Sequence, residues 1–270
     1  MLHDCNDTKS LKIQPGDSIR VKRLKRDRLS FLKKKRKVEK EFIRDYSKYL
    51  RSLEKQTLDK VDEYFPKQSK QIPDEVLEEI TPKLVNQINN LSPIITRRIR
   101  QSIQNGAEDI AVFFGVDVQD VLPRPAVISY LAEMPIVFSE EVSITTIARI
   151  RQAMIDAFNA VEGVEGARQR IQKVFKEARG YRAETMARTI MTDSQNFGRI
   201  QEMDELGDEG KEWVTSFSNS RSDHIAAHGQ VRDLNEDFDV GGEQIRWPGD
   251  SRASAKNRIN CQCNVAPKVD

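Results

Sequence analysis

The sequence predicts an α+β protein: a predominantly α-helical body with long N-terminal helices, then a small loop-rich α+β C-terminal domain. Three observations predict it. Apolar residues recur at spacings of three and four through most of the first two hundred positions, the period of an amphipathic helix. After Gly207 that period stops, and short alternating runs separated by Gly and Pro take over. Of the 270 residues 32% are charged and 38% hydrophobic, so helices must lie on each other through narrow apolar seams.

Residues 1–28 read as a basic, flexible tail, with no periodicity before Pro15 and Gly16. Residues 29–115 form a long-helix region. Ile43, Tyr46, Leu50, Leu53, Thr57, Val61 and Tyr64 make one stripe from a helix beginning near Leu29, which Pro66 stops. A second helix begins near Pro73, with Asp74, Glu75, Glu78 and Glu79 by its positive end. A third begins at Ser92–Pro93, a cap followed by a first-turn proline, and runs to Gly115. Residues 116–206 are a further helical stretch. Pro123, Pro125 and Pro135 break it into a short piece around Ala126–Glu133, and periodicity resumes from Ser143 to Val161. Further helices follow over 166–178, closed by Arg179–Gly180, and over 183–206. Residues 207–270 hold a strand at Trp213–Phe217, a helical turn at 224–229, and strand-like pieces at 241–250 and 259–265.

Several classes are excluded. No run approaches the roughly 18 apolar residues of a membrane helix, the first residues lack a secretory signal, and three cysteines do not make a disulfide framework. The net charge of +2 conceals an asymmetry: residues 1–100 carry 25 Lys/Arg against 15 Asp/Glu, the remainder 19 against 27. Between Arg20 and Lys40 stand 12 basic and 2 acidic residues. Arg20, Lys22, Arg23, Lys25, Arg26, Arg28, Lys33, Lys34, Lys35, Arg36 and Lys37 are therefore candidates for binding DNA phosphates or an acidic partner. A solvated helix start is the other reading of the same block.

The main chemical irregularity lies near the end. Two of three His and two of three Cys fall within forty residues: His224, His228, Cys261 and Cys263. The histidines, four apart, share a face if 224–228 is helical, and the cysteines share one if 259–265 is a strand. Two imidazoles and two thiolates suit a tetrahedral structural Zn²⁺. Buried cysteines with a hydrogen-bonded histidine are the alternative, and no cofactor is required by the sequence. No phosphate-cradling glycine loop, zinc-protease helix or serine elbow is present, so no catalytic residue is assigned.

The order of ARTIMTDSQNFG (187–198), KEWVTS (211–216), RSDHIAAHGQ (221–230), WPGD (247–250) and INCQC (259–263) resembles the phage Mu protein F-like family, the minor head or head-morphogenesis proteins of tailed bacteriophages. Arg188, Asn196, Trp213, Thr215, Arg221, His224, Gly229, Pro248, Gly249, Asp250, Asn260, Cys261 and Cys263 occupy the family's motif positions, over roughly residues 130–266. Some members carry Cys-x-x-Cys where Arg221-x-x-His224 stands here, so by position His224 replaces the second thiolate. The resemblance implies a low-copy structural protein of the virion, held inside the head near the portal vertex after assembly in the host cytoplasm. Its implied partners are the portal protein and packaged double-stranded DNA, with scaffold or major capsid protein as further candidates and no membrane. The alternative from another class is a phage-encoded enzyme, a nuclease or transferase, using the His224/Cys261/Cys263 neighbourhood.

Overall fold

The computed structural model describes residues 11–64, 74–215 and 220–268. Residues 1–10 of the expected tail, the expected stop at Pro66 and the strand end at Phe217 lie outside them. The elements are α1 (Ile19–Tyr64), α2 (Asp74–Ile80), α3 (Leu84–Phe114), α4 (Pro125–Asn159), α5 (Gly163–Glu177), a wide turn Ala178–Arg182 and α6 (Ala183–Glu205). Then come β1 (Gly210–Val214), α7 (Ser222–Ala226), β2 (Val231–Asp233), β3 (Phe238–Val240), β4 (Glu243–Ile245), α8 (Ala255–Arg258) and β5 (Asn264–Pro267). The fold is α+β and helix-dominated, as the periodicity predicts.

Several boundaries differ from the sequence reading. α1 starts ten residues before Leu29, because the Ser18 hydroxyl accepts the Val21 N–H at 3.2 Å and caps it. Pro93 and Pro135 both sit inside helices. Each removes one backbone bond, but around Pro93 the helix gains a buried stripe: Leu91, Ile95, Ile99, Ile103, Ala107 and Ile110 are all fully buried. Burial of that stripe outweighs one missing hydrogen bond. At Gly180 (φ −92°, ψ −125°) the helical path does break, by a kink rather than a left-handed cap.

The chain divides into two compact units, each assembled from stretches separated in the sequence. One comprises Met1–Lys40, Arg97–Leu131 and Thr185–Asp270, the other Glu41–Thr96 and Ala132–Glu184. The second unit is helical among its described residues, with Phe42, Tyr46, Leu50, Leu53, Val61, Ile150, Met154, Ile171 and Phe175 in its core. Ion pairs such as Arg149–Glu177 (3.2 Å) and Arg179–Glu54 lie within it.

The first unit is built around α6, of which every residue from Ile190 to Ile200 is buried. A three-stranded antiparallel sheet, β2-β1-β5, pairs Trp213 with Val265, and β3 and β4 form a hairpin. Its two-residue turn, Gly241–Gly242, has φ of 64° and 83°, values glycine adopts without strain. α3 and α6 approach closely where each carries a glycine. A Cβ on Gly198 would lie 2.1 Å from the Ile103 carbonyl oxygen, and one on Gly106 2.1 Å from that of Gln195. Backbone cannot rotate aside as a side chain can. Gly198→Ala is therefore expected to cost at least the ~1–3 kcal/mol of an overpacked core. The urea midpoint of the variant would measure it, and an unchanged midpoint would mean that the helices separate freely.

Candidate functional site

A helix buried on all sides is normally apolar, yet α6 buries Thr192, Asp193, Ser194, Gln195, Asn196, Arg199 and Glu202. Three of these side chains, Thr192, Asn196 and Arg199, together with Arg188 and Thr189, grip the segment that carries the two cysteines. Arg188 donates to the Asn260 side-chain oxygen (3.3 Å), and the Thr189 hydroxyl accepts the Asn260 N–H (3.1 Å). Thr192 donates to the Cys261 carbonyl (2.7 Å). Asn196 donates to the carbonyls of Cys263 (3.1 Å) and Pro248 (2.8 Å) and accepts the Val265 N–H (3.0 Å). Arg199 donates to the Val265 carbonyl (2.6 Å). Positions 188, 189, 192, 196 and 199 share one face of the helix at its own period, so four of them hold the backbone of residues 260, 261, 263 and 265. Asn260 takes a left-handed φ of 60° at the start of that segment, which these bonds hold in place.

The other family-motif residues complete the same knot. Asp193 accepts the Trp247 indole N–H (2.7 Å) and the Tyr130 hydroxyl (2.9 Å), and Phe197 stacks on Tyr130 and lies tilted against Trp247. Gly249, at φ 88°, lies against α6, where a Cβ would be 3.0 Å from the Asp193 nitrogen. Asp250 accepts from Arg246 (2.9 Å) and Arg252 (3.1 Å), and Arg221 donates to the Ile259 carbonyl. Gly229 (φ 76°) donates to the Trp213 carbonyl at 2.9 Å, returning the chain from α7 to the sheet.

α7 delivers His224 into this knot, 2% exposed, with its ring edge-on to Trp213 at 5.5 Å. His224 Nδ1 lies 3.4 Å from Cys263 Sγ and 3.7 Å from Cys261 Sγ. Both cysteines are buried and free. The Thr215 hydroxyl is 3.2 Å from Cys263 Sγ, and His224 Nε2 is buried without a hydrogen-bond partner. Burial opposes ionisation of Cys263, but hydrogen bonds with Cys261, His224 and Thr215 outweigh it and hold that thiol well below the usual cysteine range. The hydrogen bond to Cys263, together with burial, pushes the Cys261 thiol up instead.

Of the four expected metal ligands the structure brings together three, His224, Cys261 and Cys263. His228 is a correction. α7 ends at Ala226, so the four-residue helical spacing fails, and the His228 Nδ1 instead accepts the Thr215 N–H at 3.2 Å. Nor do the cysteines lie in a strand: β5 begins after them, and the grip of α6 on their backbone sets their common direction.

The basic block also divides. Arg28 and Lys35, each 1% exposed, cannot reach a phosphate. Arg28 donates to the Asn264 side chain (2.9 Å), and Lys35 pairs with Glu39 (3.0 Å) and Thr192 (3.2 Å). Arg20 pairs with Glu212 (2.8 Å), Lys25 with Asp17 (2.8 Å) and Lys34 with Asp109 (3.0 Å). Arg23 covers the Phe113 ring at 4.5 Å. Arg26, Lys33, Lys37 and Lys40 are exposed, and Lys22 and Arg36 half-exposed. At 3.6 residues per turn, Lys22, Arg26, Lys33, Lys37 and Lys40 fall within an arc of about 60°, opposite the buried Phe31, Lys35 and Val38.

The sequence reading missed Asp27, Asp109, Thr192, Asp193 and Arg199. A signal was present: TDSQN (192–196) offers no apolar stripe inside the helix expected over 183–206, and polar groups buried in a helix have partners there.

Among curated proteins, the uncharacterized protein YqbB of Bacillus subtilis (strain 168) is 36% identical over 55 residues, 20% of this chain. That match covers 18% of YqbB, well under two thirds of its length. No solved structure matches. Residues 148–266 match the family described as Phage Mu protein F like protein, a span containing α6, the cysteine segment and every motif residue named above. Over that stretch, somewhat under half of its length, the chain is similar to the Phage Mu protein F-like family.

Proposed function

We propose that this chain is a minor head protein of a tailed bacteriophage, present in few copies inside the head near the portal, and acting in head morphogenesis and DNA ejection. The observation that carries this reading is the match of residues 148–266 to the Phage Mu protein F-like family model. It is supported by what the motif residues do. Arg188, Asn196, Arg221 and Asp250 hold backbone and neighbouring side chains in a buried knot, an architecture suited to a structural component. The decisive measurement is quantitative mass spectrometry of purified virions, counting peptides of this chain against the portal protein. A few copies per particle is the expected result. Absence from particles that infect normally would overturn the proposal.

The packaged DNA is the partner we assign to α1. Lys22, Arg26, Lys33, Lys37 and Lys40 form a stripe about 27 Å long at helical rise. Five phosphate contacts would give a logarithmic salt slope of up to about −4.5. Replacing these five residues with glutamine in the full chain is expected to weaken DNA binding and flatten that slope. Identical slopes for the two proteins would remove DNA as the partner of this face.

A further inference from the structure

We propose that His224 Nδ1, Cys261 Sγ and Cys263 Sγ bind one Zn²⁺ ion, which ties α7 to the cysteine segment. The three atoms lie within 4.8 Å of one another. A tetrahedral zinc with Zn–N near 2.0 Å and Zn–S near 2.3 Å separates its ligand atoms by about 3.5–3.8 Å. The two nitrogen–sulfur distances, 3.4 and 3.7 Å, lie within about 0.2 Å of the nitrogen–sulfur separation in such a site. The imidazole nitrogen therefore stands near ligand separation from both sulfurs, which lie within 4.8 Å of each other.

Two further features support a metal over a cluster held by hydrogen bonds alone. The first is the setting of His224. Its Nε2 is buried without a partner, so the ring's polar anchorage lies at Nδ1, facing two sulfurs. Thiols are weak donors and acceptors, a poor return for burying an imidazole. Coordination replaces those contacts with strong bonds. The second is that the cysteine backbone is held independently of any ion, by Thr192 on the Cys261 carbonyl and Asn196 on the Cys263 carbonyl. The ligands are thus preorganised, as a specific site requires.

Ligand chemistry selects the metal. Two thiolates and an imidazole suit zinc and exclude magnesium and calcium, which take oxygen ligands. For the fourth corner, His228 is engaged with the Thr215 backbone and Asp250 is enclosed by Arg246 and Arg252. The Thr215 hydroxyl, 3.2 Å from Cys263 Sγ, faces the cluster and either fills that corner or holds the water that does. Burial of all three protein ligands makes the site structural. This inference does not depend on the head-protein reading.

The full-length protein, purified with zinc present and dialysed, is expected to hold one zinc per chain by elemental mass spectrometry. Exchange for Co²⁺ should give the near-ultraviolet sulfur-to-cobalt charge-transfer band and the intense visible bands of a tetrahedral thiolate site. His228→Ala should keep both signals, whereas Cys263→Ser and His224→Gln should lose the metal. Should those two variants fail to fold, the wild-type measurements decide alone. Substoichiometric zinc together with a cobalt spectrum lacking the charge-transfer band would overturn the proposal, as would full zinc retention in a folded Cys263→Ser variant.

Discussion

Arg199→Met is expected to destabilise the protein by about 3–5 kcal/mol, the cost of breaking a buried ion pair from one side. Arg199 is fully buried and donates to both Asp27 oxygens at 2.7 Å, to Asp109 at 3.5 Å and to the Val265 carbonyl at 2.6 Å. It joins α1, α3, α6 and β5. Burial already raises the Asp27 carboxyl above its ordinary range despite the attraction of Arg199, so without the guanidinium that carboxylate stands buried with less compensation. Adding Asp27→Asn to Arg199→Met should recover part of the loss, because a neutral amide needs no counter-charge. Denaturant unfolding of the two variants and the wild type tests this. A single variant within about 1 kcal/mol of wild type would show that water reaches the cluster and replaces the arginine.

The second large effect is one of pH. Burial pushes the Asp193 carboxyl up to about 7, with Asp250 adding repulsion, while the hydrogen bonds from Trp247 and Tyr130 and the charge of Arg246 pull the other way. The ordinary value is 3.8. Between about pH 4 and 7 the folded protein holds a proton that the unfolded chain has released, so stability from this group falls as pH rises across that window. The full penalty, about 4 kcal/mol, is present above pH 7 and absent below pH 4. Asp193→Asn keeps an acceptor for Trp247 and can donate to Tyr130, while removing the charge. It should therefore raise the melting temperature at pH 8 by on the order of 10 °C relative to wild type, with little change near pH 4. Parallel curves of Tm against pH for the two proteins would mean that Asp193 stays ionised throughout.

How much of this was legible beforehand depended on how local the cause was. The stripe from Ile43 to Val61 marked α1, because burial on one helix face imposes its period directly on the chain. The alternating pieces after Gly207 marked the small sheets, and the ordered motifs from Arg188 to Cys263 marked the family. The helices' continuity through Pro93 and Pro135 was not legible: a proline's local cost is visible in sequence, but the buried stripe that outweighs it is counted only once neighbours are in place.

The same distinction separates the site residues. By itself the sequence determined that α1 would be basic and that His224, His228, Cys261 and Cys263 were the chemistry near the end of the chain. Only the tertiary structure decided that Lys35 and Arg28 are buried struts while Lys22, Arg26, Lys33, Lys37 and Lys40 face outward, since that depends on which side of α1 meets α6 and β5. It likewise decided that His224 joins the cysteines and His228 does not. That choice rests on α7 ending at Ala226 and on the side chains of α6 grasping the backbone of 260–265, contacts between residues some seventy positions apart. Periodicity is a property of neighbours along the chain. Which buried polar group meets which is a property of packing, where each donor must find its acceptor wherever the fold puts it.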